Sequence, residues 1–156
     1  MDESIVTVVE WGAEQFCYLT TTGRKTGRPH TIEIWFAEDA GRLFLLAGGR
    51  ERADWVRNLR HRPSVGLRVG SAPPGVVAPS PSARGQIHSY DGPATATIVT
   101  DPADDERARE LLAAKYQGWS PGTPMSRWAR TALAVVVVPQ PLPGRGAGLF
   151  GEPLTP

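Results

Sequence analysis

A chain of 156 residues is long enough for one domain with a single hydrophobic core and too short for two independent domains. Its 40% hydrophobic and 21% charged residues are typical of a globular protein, and a formal net charge of +1 argues against a disordered chain or a strongly polyanionic partner. The single cysteine, Cys17, excludes an internal disulfide, and no apolar run approaches the roughly 20 residues that span a bilayer. We therefore expect a soluble cytoplasmic protein without an integral membrane segment, either a monomer or a homodimer.

Six segments have the composition and alternation of β-strands. Residues 30–38 show the pattern most clearly, with Ile32 and Ile34 on one face and Thr31 and Glu33 on the other. The predicted strands cover residues 16–22, 30–38, 42–47, 65–69, part of 86–99, and 134–138. The first three follow one another through short turns, so we expect them to form antiparallel hairpins.

Two or three short helices interrupt the strands. Apolar residues at helical spacing from Trp55 onward, stopped by Pro63, predict the first helix. A second helix is predicted between Asp101, which is a good N-cap ahead of a proline, and Gly118, which suits a helix end. Residues 126–130 predict a further helical turn.

The composition divides the chain into one domain, a loop and a tail. Residues 71–85 are rich in Pro, Ser and Gly and predict a flexible loop within a domain that covers residues 1–138, and residues 139–156 predict a flexible Pro/Gly-rich tail. Strands and helices do not alternate, which argues against a doubly wound sheet. The expected fold class is mainly β with helices (α+β), a closed or partly closed antiparallel barrel of six strands.

The clearest candidate site is a cationic turn at residues 23–28, between the first two predicted strands. Two glycines allow a tight turn that exposes backbone amides, and Arg24, Lys25 and Arg28 supply cations suited to phosphate or carboxylate oxygens. A Walker A loop is excluded because its glycine spacing is missing and a strand follows instead of a helix. On the residues alone, an ordinary hairpin with solvated cations explains this turn equally well.

Two further segments have features of a ligand pocket. The segment Ala47-Gly48-Gly49 precedes the helix that contains Trp55, so its backbone amides can approach a planar ring or a phosphate. Tyr116 and Trp119 stand at the end of the acidic helix, where aromatic rings can wall an apolar pocket. Core packing is the alternative interpretation of all three aromatic residues.

Several other functions lack the residues they need. The three histidines have no ligand spacing and there is no HExxH or CxxC motif, so no metal site is expected. No GxSxG nucleophile elbow supports a serine hydrolase. Five arginines lie within residues 50–62, but without interleaved aromatic platforms they predict a solvated helix face and no nucleic-acid partner.

Taken in order along the chain, these motifs resemble the deazaflavin-dependent nitroreductases and quinone reductases, a family of split β-barrels related to FMN-binding oxidases. The resemblance runs from about residue 16 to 69 and is weaker from 101 to 138. It is carried by Leu-Thr-Thr-Thr-Gly-Arg-Lys-Thr-Gly at 19–27, the glycine pair at 48–49, Trp-Val-Arg-Asn-Leu at 55–59 and Pro-Ser-Val at 63–65. Several motifs in the right order are more specific than any one of them.

The resemblance implies a six-stranded antiparallel split β-barrel that transfers a hydride from reduced coenzyme F420, a deazaflavin, to a quinone, nitroaromatic or activated alkene. It implies that the cationic turn holds the phosphate and glutamyl tail, and that the glycine pair and the next helix lie against the ring. The expected cofactor-binding residues are Thr21, Thr22, Gly23, Arg24, Lys25, Thr26, Gly27, Arg28, His30, Ala47, Gly48, Gly49 and Trp55. Tyr116 and Trp119 are the expected substrate-binding residues, and no catalytic residue is identified.

The chain departs from this family at three places. His30 stands where many relatives have arginine, Arg52-Ala53 replaces the usual His-Pro before the tryptophan, and Trp119 stands within a segment that is rich in tyrosine in relatives. Two alternatives therefore stay open. FMN, whose single phosphate needs fewer cations, can replace F420, or the domain can be a non-catalytic module that binds a cofactor or an apolar ligand.

Overall fold

The computed structural model describes residues 14–70 and 90–140. Within these ranges the chain forms seven β-strands, three α-helices and one 3₁₀ turn. The strands are β1 (Cys17–Thr22), β2 (Pro29–Ile34), β3 (Ala37–Asp39), β4 (Arg42–Ala47), β5 (Ser64–Val69), β6 (Tyr90–Ile98) and β7 (Leu133–Pro139). The helices are α1 (Asp54–His61), α2 (Pro102–Gln117) and α3 (Arg127–Thr131), and the 3₁₀ turn covers Arg50–Arg52. The predicted loop at 71–85 and nearly all of the predicted tail at 139–156 lie outside the described residues.

All seven strands belong to one sheet in the order β2-β1-β5-β6-β7-β4-β3, and every neighbouring pair is antiparallel. The two edge strands, β2 and β3, are separated in the chain by only Trp35 and Phe36. Three residue steps span at most about 11 Å, so the sheet must curl until its edges meet at this point. The result is a curled antiparallel half-barrel that fits the α+β split-barrel class.

The prediction of a mainly β, α+β fold with antiparallel strands is confirmed, but the count of six strands is wrong. The segment at 30–38, predicted as one strand, is divided between β2 and β3. The β1 strand begins at Cys17, which pairs with Ile34, so within residues 14–70 and 90–140 the chain beyond Ile34 has no strand partner there. It crosses to the opposite edge, where Ala37 pairs with Phe44 of β4.

The core has two layers that share β4. Leu43 and Leu45 face the interior of the curl, whereas Phe44 and Leu46 face α2 and α3 on the outside. All four are at most 3% exposed, which is why β4 is apolar without alternation. The α2 helix covers the outer layer with its own small and apolar side chains, starting after Asp101 and ending at Gly118 with φ +66° as predicted.

Two side chains of α2 hold the crossover at residues 35–36. The Tyr116 hydroxyl accepts the Phe36 backbone N–H at 3.0 Å and lies 2.8 Å from the Phe36 carbonyl. The Lys115 Nζ donates to the same carbonyl at 2.9 Å and lies 3.9 Å above the Phe36 ring. These bonds satisfy the backbone of a fully buried residue that belongs to no strand.

Stability around this crossover should depend on pH. Burial lowers the pKa of the Lys115 ammonium from 10.5 to about 8. Between pH 8 and pH 10.5, Lys115 is protonated in the unfolded chain and largely neutral in the folded chain. The unfolded state therefore binds more protons, so the free energy of unfolding rises with pH over this range and falls as the pH is lowered toward 8. Burial also raises the pKa of the Cys17 thiol from 9.0 to about 12, which opposes this trend above pH 9.

We therefore expect the free energy of unfolding of the wild type to increase relative to that of Lys115→Met between pH 7 and pH 9. Urea denaturation followed by circular dichroism at both pH values measures the difference, with Cys17→Ala in both proteins because the Cys17 thiol and Lys115 shift each other's pKa. A difference that is the same at pH 7 and pH 9 would show that Lys115 titrates as it does in the unfolded chain.

Candidate functional site

The cationic turn at residues 23–28 closes the β1–β2 hairpin, and its backbone is internally braced. The Gly23 N–H donates to the Arg28 carbonyl at 2.7 Å and the Gly27 N–H donates to the Gly23 carbonyl at 2.9 Å. Gly27 has φ +77°, a conformation that favours glycine. The Arg28 N–H donates to Thr26 Oγ1 at 3.2 Å. Residues 25–28 are exposed, so the turn presents its side chains to solvent on a fixed backbone.

The absence of a side chain at Gly23 lets His30 lie against the turn. A Cβ atom added to Gly23 would lie 2.8 Å from His30 Nε2 and 3.0 Å from Thr26 Oγ1. His30 therefore packs its imidazole onto the turn from the neighbouring strand, where Thr21 is its register partner. This contact brings a third basic side chain beside Arg24 and Lys25.

The buried side-chain amide of Asn58 links the turn to α1. Asn58 is 3% exposed, and its Oδ1 accepts both the Arg24 backbone N–H at 3.1 Å and Arg24 Nη1 at 2.9 Å. Its Nδ2 donates to Oγ1 of the fully buried Thr21 at 3.1 Å. A second guanidinium nitrogen of Arg24 reaches Asp54 Oδ1 at 3.3 Å. The helix, the end of β1 and the turn are thus held together by side chains.

The sequence analysis did not assign a role to Asn58, although a signal was present. The buried side chains of α1 are Val56, Asn58 and Leu59. An amide within the apolar stripe of a helix must find partners when it is buried, because an unpaired one is costly. This pattern indicates a structural link, but the sequence does not reveal that Arg24 is at its other end.

A cavity of about 690 Å³ opens between the turn, β2 and α1. We call it the tail cavity, after the cofactor tail that the family resemblance assigns to the turn. Its lining residues are Gly23, Arg24, Lys25, Thr26, Pro29, His30, Thr31, Ile32, Asp54, Trp55 and Asn58. Among the described lining residues, Asp54 is the one acid beside three basic side chains, and its own side chain is 84% exposed. Within the described residues no hydrogen bond or ion pair engages Lys25, so its ammonium is available to an anion.

The structure brings together only part of the predicted cofactor set. Thr21 is buried behind Asn58, Thr22 ends β1, and Gly27 and Arg28 belong to the turn without lining the tail cavity. Ala47 is buried at the end of β4, while Gly48 and Gly49 line a separate cavity of about 360 Å³ with residues 50–52. The glycine pair is therefore not continuous with the tail cavity, and its assignment to the cofactor stays a prediction.

Tyr116 and Trp119 lie away from the tail cavity. Tyr116 stacks on Trp35, with ring centroids 4.3 Å apart and an interplanar angle of 4°, and its hydroxyl is engaged by Phe36. Trp119 Nε1 donates to the Thr123 carbonyl at 2.7 Å and closes a local turn. The substrate-binding role of both residues stays a prediction.

A third cavity lies near these aromatic residues, and we call it the aromatic cavity. Its volume is about 480 Å³, and it is lined by Phe16, Glu33, Ile34, Trp35, Leu46, Gln117 and Trp128. The sequence analysis missed Trp35 and Trp128, which come from segments 93 residues apart and meet only in the folded chain. Their rings are 5.5 Å apart at an angle of 87°.

Two further properties of the described residues concern metal binding and membrane crossing. In the ranges 14–70 and 90–140, no group of three or more His, Cys, Asp or Glu side chains is arranged to hold a metal ion. No helix in this part of the chain combines the length and the apolar character that a membrane crossing requires.

Replacing Asn58 should destabilise the protein. In Asn58→Leu, the Thr21 hydroxyl and the Arg24 backbone N–H lose a buried partner, at a cost of about 2–3 kcal/mol in the free energy of unfolding. Arg57→Leu is the matched control on the exposed side of the same helix and should cost about 0.5 kcal/mol or less. Equal losses in the two variants, measured by urea denaturation, would contradict the link.

Known proteins related to this chain agree with the fold and identify its family. The sequence profile of the F420H(2)-dependent quinone reductases matches residues 3–81, which are 79 of the 156 residues. The F420H(2)-dependent quinone reductase of Mycobacterium tuberculosis is 37% identical over 70 residues, which cover 43% of this chain and 47% of that protein. The chain thus spans about half the length of the curated relatives it matches.

Solved structures with lower identity share the fold alone. A Listeria innocua protein assigned as a pyridoxamine 5′-phosphate oxidase aligns with a TM-score of 0.58 at 18% identity, over 84% of this chain and 88% of the other. A Bacteroides thetaiotaomicron protein assigned to 5-nitroimidazole antibiotic resistance aligns with a TM-score of 0.56 at 13% identity, over 80% and 72% of the two chains. The profile match covers the cationic turn, α1 and the link between them, and this chain belongs to the F420H(2)-dependent quinone reductase family.

Proposed function

We propose that this protein is an oxidoreductase that uses reduced coenzyme F420 to reduce an electron-poor acceptor such as a quinone, a nitroaromatic or an activated alkene. The observation that carries the proposal is the tail cavity, where Lys25, His30 and Arg24 converge beside Trp55. Membership of the F420H(2)-dependent quinone reductase family supports the choice of coenzyme. The substrate class follows from the family and from the chemistry of a hydride donor.

The residues of the tail cavity fit the tail of this coenzyme, which carries a phosphate and glutamyl carboxylates. Lys25 offers an unengaged ammonium, and Arg24 uses two of its five N–H donors on Asn58 and Asp54. A volume of about 690 Å³ lies within the usual range of ligand sites, roughly 300–1,000 Å³. Charge-assisted bonds to phosphate from donors already held in place give affinity at a small entropic cost.

Each residue of the site has a separate part in this proposal. Lys25 and His30 bind anionic oxygens, Asn58 fixes Arg24, and Trp55 offers an aromatic surface at the start of α1. When bound, a deazaflavin supplies two-electron hydride transfer, and the protein contributes orientation and the exclusion of water. No side chain of the tail cavity is assigned as a proton donor, and the catalytic residues remain unknown.

Two alternatives are separated by the ligand that binds. An FMN oxidoreductase would bind FMN in preference to F420, and a non-catalytic module would bind a cofactor without turnover. Reduced F420 supplied with a panel of quinones tests turnover, because its oxidation is followed by absorbance. Quinone-dependent oxidation excludes the non-catalytic module, and tighter binding of FMN than of F420 would overturn the choice of coenzyme. Location in the cytoplasm and a monomeric or homodimeric state stay predictions.

Lys25 is a sharper test of the site than Arg24, since changing Arg24 also breaks the link to Asn58. In Lys25→Glu, the dissociation constant for F420 should rise by about 10-fold or more, because a charged hydrogen bond contributes about 1.5–3 kcal/mol. Titration against tryptophan fluorescence measures this value. Arg60→Glu makes the same charge change on α1 outside the tail cavity and should alter the constant by less than about threefold.

Unchanged affinity in Lys25→Glu, with wild-type binding intact, would show that the turn is only a hairpin. Equal weakening in both variants would show a long-range effect of net charge. Repeating the titration at higher salt separates these cases, because exposed charges more than about 10 Å from the ligand are largely screened at 0.1 M salt.

A further inference from the structure

We propose that the aromatic cavity binds the electron acceptor and that it selects an uncharged planar ring, a choice that rests on the proposed function. The cavity contains two indoles, of Trp35 and Trp128, and two polar side chains, of Glu33 and Gln117. It has the apolar surface with a few polar groups that is usual for small-molecule sites. Tyr116 and Trp119 line neither this cavity nor the tail cavity, and their substrate-binding role stays a prediction.

The two indoles form a rigid corner. Trp35 and Trp128 meet at 87°, while the Tyr116 ring lies parallel to Trp35 and backs it. Trp35 is also part of the crossover, next to Phe36, whose backbone is held by Tyr116 and Lys115. A flat ring that enters this corner can stack on one indole and meet the edge of another, with little further ordering of the protein.

The polar side chains of the aromatic cavity suit a neutral acceptor with oxygen atoms. Gln117 Oε1 accepts the Ser126 hydroxyl at 2.8 Å, which leaves its NH₂ group to donate to a quinone or nitro oxygen. Glu33 accepts the Tyr18 hydroxyl at 2.7 Å and is the only charged side chain among the described lining residues. An anion would meet this carboxylate without a nearby cation in the lining, so the cavity disfavours anionic ligands.

The position of the cavity also suits an acceptor. Along β2, Thr31 and Ile32 line the tail cavity and the next two residues, Glu33 and Ile34, line the aromatic cavity. Ile32 and Ile34 are about 7 Å apart along a strand. Trp128 also touches the glycine pair, since a Cβ atom added to Gly48 would lie 3.4 Å from its Cδ1. The cavity therefore adjoins both segments that the proposed function gives to the coenzyme.

Binding of menadione to the protein without coenzyme, measured by equilibrium dialysis, tests this site directly. Trp128→Leu should raise the dissociation constant for menadione by about 10-fold, and Gln117→Leu, at an exposed position, by about fivefold. Gln140→Leu makes the same change as Gln117→Leu at an exposed position outside the cavity and should alter the constant by less than about twofold. Circular dichroism checks that each variant is folded.

The charge of Glu33 gives a second, independent measurement. Naphthoquinone-2-sulfonate, an anionic quinone, should bind about 10-fold more weakly than menadione, and Glu33→Gln should remove most of that difference. This substitution keeps an acceptor for the Tyr18 hydroxyl. It therefore changes the charge of the cavity more than its shape.

The F420 titration is run on the same variants, so that the two proposals are judged separately. We expect the affinity for F420 to stay within about threefold in Trp128→Leu and Gln117→Leu while the KM for menadione rises. Menadione affinity unchanged in both variants, or reduced equally by Gln140→Leu, would overturn the acceptor site and leave the coenzyme site intact. Wild-type protein that fails to bind F420 would overturn the proposed function, whatever the menadione result.

Discussion

The crossover at Trp35 and Phe36 is the constraint on which the rest of the structure depends. Because β1 begins at Cys17, the chain beyond Ile34 has no partner on that side among the described residues, and it reaches β4 within two residues. This forces the edges of the sheet together and creates the interior that the first core layer fills. The crossover also directs Phe36 into the core and Trp35 toward the outside, where it lines the aromatic cavity.

Buried polar side chains occur where two secondary-structure elements must keep a fixed position relative to each other. Tyr116 and Lys115 satisfy the backbone of Phe36, and Asn58 satisfies Arg24 and Thr21. Each set has partners more than 30 residues apart in the chain, so each forms only when the tertiary fold is complete. Fully paired networks of this kind specify one arrangement because the unpaired alternatives are costly. Each network lies directly behind a cavity and holds part of its wall.

Local features of the sequence were sufficient to predict most of the elements and the cationic turn. The helix after Asp101 and the hairpin glycines have strong local signals, because capping and turn chemistry act over a few residues. The division of residues 30–38 was not predictable in this way. Alternation with a period of two shows which face is buried, but it does not show which strand is the partner.

The site was predictable to a similar extent, for the same reason. Arg24 and Lys25 are neighbours in the sequence, and the tail cavity contains both of them together with His30 and Trp55, whereas Arg28 is not among its lining residues. Asn58 and the pair of Trp35 and Trp128 depend on long-range contacts, and single-sequence reasoning has no access to these. Tyr116 also depends on long-range contacts, since its hydroxyl and ring are engaged at the crossover, and its role in substrate binding stays a prediction.

The tail cavity and the aromatic cavity both lie along the edge strand β2, where the barrel is not closed by hydrogen bonds between the described strands. Within the described strands the two edges meet through the chain, but no ladder of hydrogen bonds joins β2 to β3. Among the described strands, β2 therefore has β1 as its single neighbour, and an edge strand of this kind invites aggregation in most sheets. Here the first half of that strand lines a cavity rich in cations, and the second half lines one whose only charge among the described residues is Glu33. Because cations lie near the start of β2 and Glu33 lies near its end, the proposed anionic tail and the proposed neutral ring would lie side by side along one strand.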